Sequence, residues 1–258
     1  MRKRQRSYQK LGWFLASLLL LAPASVWAKP KLKSIALSQQ GSLLGFRIQL
    51  SSGNPKVSAW VDNTGQVQWF SMKSKYAELA VLPQGNVLLK SFKPKKGVFS
   101  KWGRNNELLA VGGFRLTYTT NRWRVTSISY GRTTYSVKYT NIRMIQFGNS
   151  RIGYNFNGTV SHIGGIRFGY NTQGIVLKAA TIVLKYNELD WRVLKVGRAQ
   201  VIYLPANFIV VGMRGRENRT SIKIQACSIA ICPSQIQSLT PNRWPGAIPP
   251  SNPGRTTP

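Results

Sequence analysis

The chain has 258 residues, with 37 Lys and Arg against six Asp and Glu, and a formal charge of +31. The acids Asp62, Glu78, Glu107, Glu188, Asp190 and Glu217 are too few to neutralise the cations internally, so most cations must face solvent or an anionic partner. One histidine and two cysteines exclude the usual four-ligand zinc centres, and no cofactor motif is present.

The N-terminus reads MRKRQRSYQK, then an apolar run over 11–22, then PASVWA. A charged start, a short apolar stretch and small residues at Val26 and Ala28 predict a signal peptide over 1–28, with a retained anchor as the alternative. Cleavage after Ala28 removes five cations and leaves +26 on 230 residues, enough chain to bury a large core without staples. No later segment is long and apolar enough to cross a bilayer as a helix. The protein is expected to be exported to the periplasm, cell envelope or extracellular space.

From 29 to 105 the basic residues are eleven Lys and two Arg. The runs SIALSQQ, LLGFRIQLS, KVSAWV, QVQWFSM, ELAVL and NVLLKSF predict strands, with DNTG at 62–65 as a hairpin turn between two of them. The loop-like KPKKG at 93–97, carrying Lys93, Lys95 and Lys96, and the change in basic residue type put a boundary near 97–110.

From 106 to 232 a repeat governs the sequence. Gly112, Gly131, Gly148, Gly164, Ala180 and Gly197 recur at spacings of 16 to 19 residues. Six residues after each stands Tyr118, Val137, Tyr154, Tyr170, Tyr186 or Tyr203, followed by a turn former. Each unit is long enough for two short strands and two tight turns. The region is therefore predicted to be an antiparallel meander of about twelve strands in repeated hairpins. An open sheet, a sandwich and a barrel-like closure all satisfy this all-β reading.

Strand alternation places Leu116 with Tyr118, Ile152 with Tyr154 and Phe168 with Tyr170 on one face. Arg115, Arg151 and Arg167 then fall on the opposite face. The runs TIVLK, WRVLKV and NFIVVG are apolar on both sides, which predicts cover from the N-terminal part.

The units RIGYNFNGTVSHIG and RFGYNTQGIV resemble the tyrosine-containing β-hairpin repeats called YD repeats, found in Rhs-type secreted proteins, over residues 111–211. Asn155 and Asn171 stand where that family usually has Asp. The resemblance implies a secreted β scaffold with no catalytic residues of its own.

Cys227 and Cys232, in CSIAIC, fit a small disulfide loop in an oxidising compartment, with two buried thiols as the alternative. The segment 233–258 holds seven of the thirteen prolines and predicts a disordered or polyproline-like tail, where Trp244 is a possible contact for a protein partner.

Catalytic material is sparse. His162 has no partner motif, the Glu188 and Asp190 pair is explained by a turn, and no nucleophile elbow or phosphate loop occurs. The expectation is a non-enzymatic protein without cofactor or metal. Arginine forks pair with phosphate, sulfate or carboxylate, which points to an anionic polysaccharide, lipopolysaccharide or another envelope polyanion. Nucleic acid is a less natural partner for an exported protein. Candidate contacts are Arg115, Arg151 and Arg167 on the basic face, Arg122, Arg124 and Arg132 near the early turns, and Lys93, Lys95 and Lys96 in the loop. The alternatives are a structural or protein-interaction module of the envelope, and an outer-membrane barrel, for which the strands are short.

Overall fold

The structure, a computed structural model, describes residues 29–120, 124–141, 143–217 and 219–225. The predicted signal segment, Arg122, Cys227, Cys232 and the Pro-rich tail lie outside the described residues. The described chain is all-β, with no helix long and apolar enough to cross a membrane.

The N-terminal runs form six antiparallel strands: β1 (Lys31–Ser38), β2 (Leu43–Ser51), β3 (Lys56–Asp62), β4 (Val67–Lys73), β5 (Ala77–Val81) and β6 (Val87–Phe92). A second sheet follows as a meander of fourteen strands, two more than the repeat count predicts. They are β7 (Ser100–Trp102), β8 (Leu108–Val111), β9 (Phe114–Tyr118), β10 (Val125–Tyr130), β11 (Thr133–Thr140), β12 (Arg143–Phe147) and β13 (Ser150–Tyr154), then β14 (Val160–Ile163), β15 (Ile166–Tyr170), β16 (Val176–Ala179), β17 (Ile182–Tyr186), β18 (Val193–Val196), β19 (Ala199–Tyr203) and β20 (Val210–Arg214). Finally β21 (Ser221–Gln225) returns to the first sheet and pairs with β1 in parallel. Both sheets stay open, with β21 and β6 at the edges of one and β20 and β7 at the edges of the other.

The repeat anchors are the two-residue turns of the large sheet. Residues 112, 131, 148, 164, 180 and 197 take φ between +55 and +58 at the first turn position. Glycine takes this conformation without steric cost, which explains five of the six; Ala180 carries the strain. The longer strand of each later hairpin alternates, while its partner buries its first and fourth residues across a register shift. In β13 and β15, for example, Ile152 and Phe168 are buried while Arg151 and Arg167 are exposed.

The buried faces of the two sheets meet in one continuous apolar core. Phe70 stacks on Phe147 with ring centres 4.7 Å apart, and Phe46 meets Phe168 edge-on at 5.4 Å. At the wide-turn end of each hairpin a tyrosine hydroxyl donates to a backbone carbonyl: Tyr118 to Leu108, Tyr154 to Met144, Tyr170 to Val160, Tyr186 to Val176 and Tyr203 to Val193, at 2.6–2.9 Å. In the second unit Tyr139, not Val137, fills this role by bonding to Val125 at 2.9 Å. β11 is eight residues long, so its tyrosine lies two positions later than the repeat predicts, and Val137 packs in the core. Burial raises these hydroxyls above the usual range near 10, to about 12 for Tyr170 and Tyr203, so they remain protonated donors at neutral pH.

Every second tyrosine also locks the sheets together. Three hairpin tips of the small sheet present the carbonyls of Gly41, Gly65 and Gly85. These accept the backbone N–H of Val193 at 2.9 Å, Val160 at 2.8 Å and Val125 at 3.1 Å. The carbonyls of those same valines accept the hydroxyls of Tyr203, Tyr170 and Tyr139, and those tyrosines lie against the tip glycines. A Cβ on Gly65 would overlap the Tyr170 hydroxyl and ring, and its φ is +76. Gly174, with φ +80, has open space around the same position.

Gly174→Ala should therefore cost only the backbone term of about 1 kcal/mol. Gly65→Ala adds overpacking and should cost roughly 3 kcal/mol or more in urea unfolding. Equal losses at the two positions would contradict the interlock.

Candidate functional site

The outward face of the large sheet carries three of the sequence-predicted arginines, Arg115, Arg151 and Arg167. Cross-strand register sets its composition, because residues directly opposite one another share a face. From β11 the register aligns Lys138 with Gln146 and Gln146 with Arg151. The next hairpin aligns Gly153 with His162 and His162 with Arg167. The following ones align Gly169 with Lys178, then Lys185 with Lys195. Lys195 lies opposite Gln200, which lies opposite Arg214.

Lys138, Arg151, Arg167, Lys178, Lys185 and Lys195 are all exposed. They occupy six of eight consecutive strands, in a row that steps two residues along the chain at β13, β15 and β17 and spans about 34 Å from β11 to β18 at ordinary strand spacing. None of the fourteen strands of this sheet contains Asp or Glu. Among the described residues the ion pairs are Lys73 with Glu78 at 3.2 Å and Arg192 with Asp190 at 2.6 Å, so these six cations have no carboxylate partner.

The predicted contacts do not form one cluster. Arg151 and Arg167 sit in this row. Arg115 shares the face but stands apart in β9, with Ala110 and Ser129 as its neutral neighbours. Arg132 is exposed on a two-residue turn. Arg124 is engaged structurally: its guanidinium lies 5.5 Å over the Tyr139 ring and donates to the Asn141 carbonyl. Lys93, Lys95 and Lys96 are exposed on the connection between the sheets, outside the strand ladder. Sequence reasoning missed Lys138, Lys178, Lys185 and Lys195. Their signal was available, because Lys178 and Lys195 stand two residues before Ala180 and Gly197, as His162 stands before Gly164.

His162 folds over Gly153, where a Cβ would collide with the imidazole, and its Nδ1 is 3.1 Å from Ser161 Oγ. Asp190 organises its turn, accepting the Arg192 N–H at 3.1 Å, while Arg192 lies 4.0 Å over the Phe208 ring. Asn171 does the same, accepting the N–H groups of Gln173 and Ile175. No group of three His, Cys, Asp or Glu side chains able to hold a metal occurs among the described residues.

The apolar outward residues of the last strands are not covered by the small sheet. Val183, Ile202 and Val211 are 41–55% exposed, because the small sheet packs on the opposite face. No protein-family model matches the chain, and no curated protein matches it significantly.

Like charges directly opposite each other destabilise a sheet, so the Lys185–Lys195 pair is a cost without a counterion. Lys195→Glu should raise stability by about 0.5 kcal/mol at low salt, with the gain shrinking in high salt. Urea unfolding at two salt concentrations measures this; a loss of stability would mean that the row is already internally compensated.

Proposed function

We propose that the protein is an exported, non-enzymatic β-repeat protein that binds an anionic envelope or extracellular polymer along the outward face of its large sheet. The observation that carries this reading is the row of six exposed cations on β11–β18, on a sheet whose strands contain no acid. A polyanion repeats its charge along its length, and a line of about 34 Å can contact several repeats at once. Two of the six are arginines, whose planar forks suit carboxylate, sulfate and phosphate groups, and the lysines add point charges. Gly169 leaves the backbone low within the row, which lets a chain lie close to the sheet there. The net charge adds long-range attraction for such a polymer. The resemblance to YD repeats, a secreted scaffold without catalytic residues, and the predicted signal segment support the same reading.

A structural or protein-interaction module is the second reading. It is favoured by the exposed apolar residues Val183, Ile202, Leu204, Phe208 and Val211 near the open edge strand β20.

Retention of the mature protein on an immobilised sulfated or carboxylated polysaccharide at low ionic strength tests the first reading. Binding is expected to collapse as salt shortens the screening length from about 10 Å at 0.1 M. Replacing Arg151, Arg167, Lys178 and Lys195 with Gln should weaken binding by about tenfold or more, against a small effect of the same change at Lys93, Lys95 and Lys96. Salt-independent capture of one protein partner, with no polyanion retention, would favour the second reading.

A further inference from the structure

The face of the small sheet that points away from the core is not an ordinary solvated surface. Ser34, Ser58 and Ser71 lie on it yet are 3–9% exposed, because larger side chains rise around them. The result is a trough of about 260 Å³ on β1–β6, bordered also by Lys223 of β21.

Register explains what borders it. Ser34 lies opposite Arg47, Arg47 opposite Trp60, and Trp60 opposite Trp69, in one row across four strands. The two indoles stack with ring centres 5.8 Å apart and an interplanar angle of 12°, giving a paired aromatic wall. Lys90 reaches the trough through a backbone irregularity. Ser91 pairs with Glu78 and Leu89 with Leu79, so Lys90 is the extra residue of a β-bulge, a device that re-aims a side chain. Its Nζ lies 4.5 Å from the centre of the Trp69 ring.

Charge in the trough is unbalanced. Glu78 accepts from Ser71 Oγ at 3.0 Å through one oxygen and pairs with Lys73 at 3.2 Å through the other. Arg47 Nε donates to Ser58 Oγ at 3.2 Å, with no carboxylate at bonding distance. Burial holds the Lys90 ammonium below its ordinary range, with Glu78 opposing the shift and Arg47 adding to it. Arg47, Lys90 and Lys223 therefore line a partly dry recess that holds one carboxylate, already bonded twice.

We infer that this trough binds a pyranose ring carrying one anionic substituent, either a carboxylate or a phosphate. The C–H face of the ring lies along the Trp60–Trp69 pair beside the Lys90 ammonium that already covers Trp69, the anion meets Lys90 or Arg47, and the serine hydroxyls and Glu78 meet the ring hydroxyls. The hydroxyl-lined floor distinguishes this ligand from an apolar one, and the lining cations distinguish it from a neutral sugar. The site is on the opposite side of the molecule from the cation row and stands or falls separately from it.

Calorimetric titration of the mature protein with glucuronic acid, glucose 6-phosphate and glucose tests the inference. One or both acidic sugars should bind saturably, with a dissociation constant on the order of 1 mM. Glucose should bind at least about tenfold more weakly, and the better acidic sugar identifies carboxylate or phosphate as the preferred anion. Lys90→Gln and Trp69→Phe should each weaken binding several-fold, and the near-ultraviolet dichroism of Lys90→Gln should match the parent, showing that its fold is intact. Arg151→Gln with Arg167→Gln should leave the affinity unchanged. Absence of saturable binding by both acidic sugars, equal binding of glucose, preference for adenosine monophosphate, or dependence on Arg151 and Arg167 instead of Lys90 would each overturn the site.

Discussion

The interaction on which the rest of this structure depends is the three-part contact at Val125, Val160 and Val193. Each valine donates its N–H to the carbonyl of a hairpin-tip glycine and accepts a tyrosine hydroxyl at its own carbonyl, while the tyrosine ring packs against that glycine. A backbone group buried at a sheet junction must find a partner, and here both groups of one peptide-bearing residue are satisfied by different sheets or turns. Because the tips engage alternate hairpins of the repeat, seven strands are matched to fourteen. The intervening hairpin of Tyr186 is left beneath a recess of about 460 Å³, bordered by Asn63, Gln66, Gln173 and Trp191.

This constraint fixes which faces remain for function. Once the apolar faces are joined, the outward face of each sheet is free of packing duties, and the two have diverged. The long one carries cations without carboxylate partners, the feature on which the proposed polyanion contact rests. The short one carries indoles, serines and converging charge in a recess, suited to a single ring. Both readings use residues whose exposure costs the core nothing.

Much of this was legible in the sequence because local chemistry determined it. The turn glycines, the alternation of Ile152 with Arg151, and the hairpin at 62–65 follow from φ preference and a period of two. Other features depended on information that local pattern does not hold. Tyr139 displaced Val137 because β11 is longer than its neighbours, a consequence of pairing across the sheet. The docking of Gly41, Gly65 and Gly85 on Val193, Val160 and Val125 links residues 152, 95 and 40 positions apart, beyond any periodicity. The Trp60–Trp69 pair was within reach, since the two residues flank the 62–65 turn at positions that a hairpin brings together. Lys90 was not, because a bulge removes the rule that assigns its face. The exposed Val183, Ile202 and Val211 reverse the expectation of cover, since a sheet packed on one side leaves apolar residues on the other in solvent.

The most direct measurement is lysine-modification footprinting of the protein with and without an added anionic polysaccharide, read out by mass spectrometry. Protection is predicted at Lys138, Lys178, Lys185 and Lys195, with Lys93, Lys95 and Lys96 still reactive. Protection concentrated on Lys93, Lys95 and Lys96, or spread evenly over all lysines, would contradict the assignment of the polymer to the outward face of β11–β18.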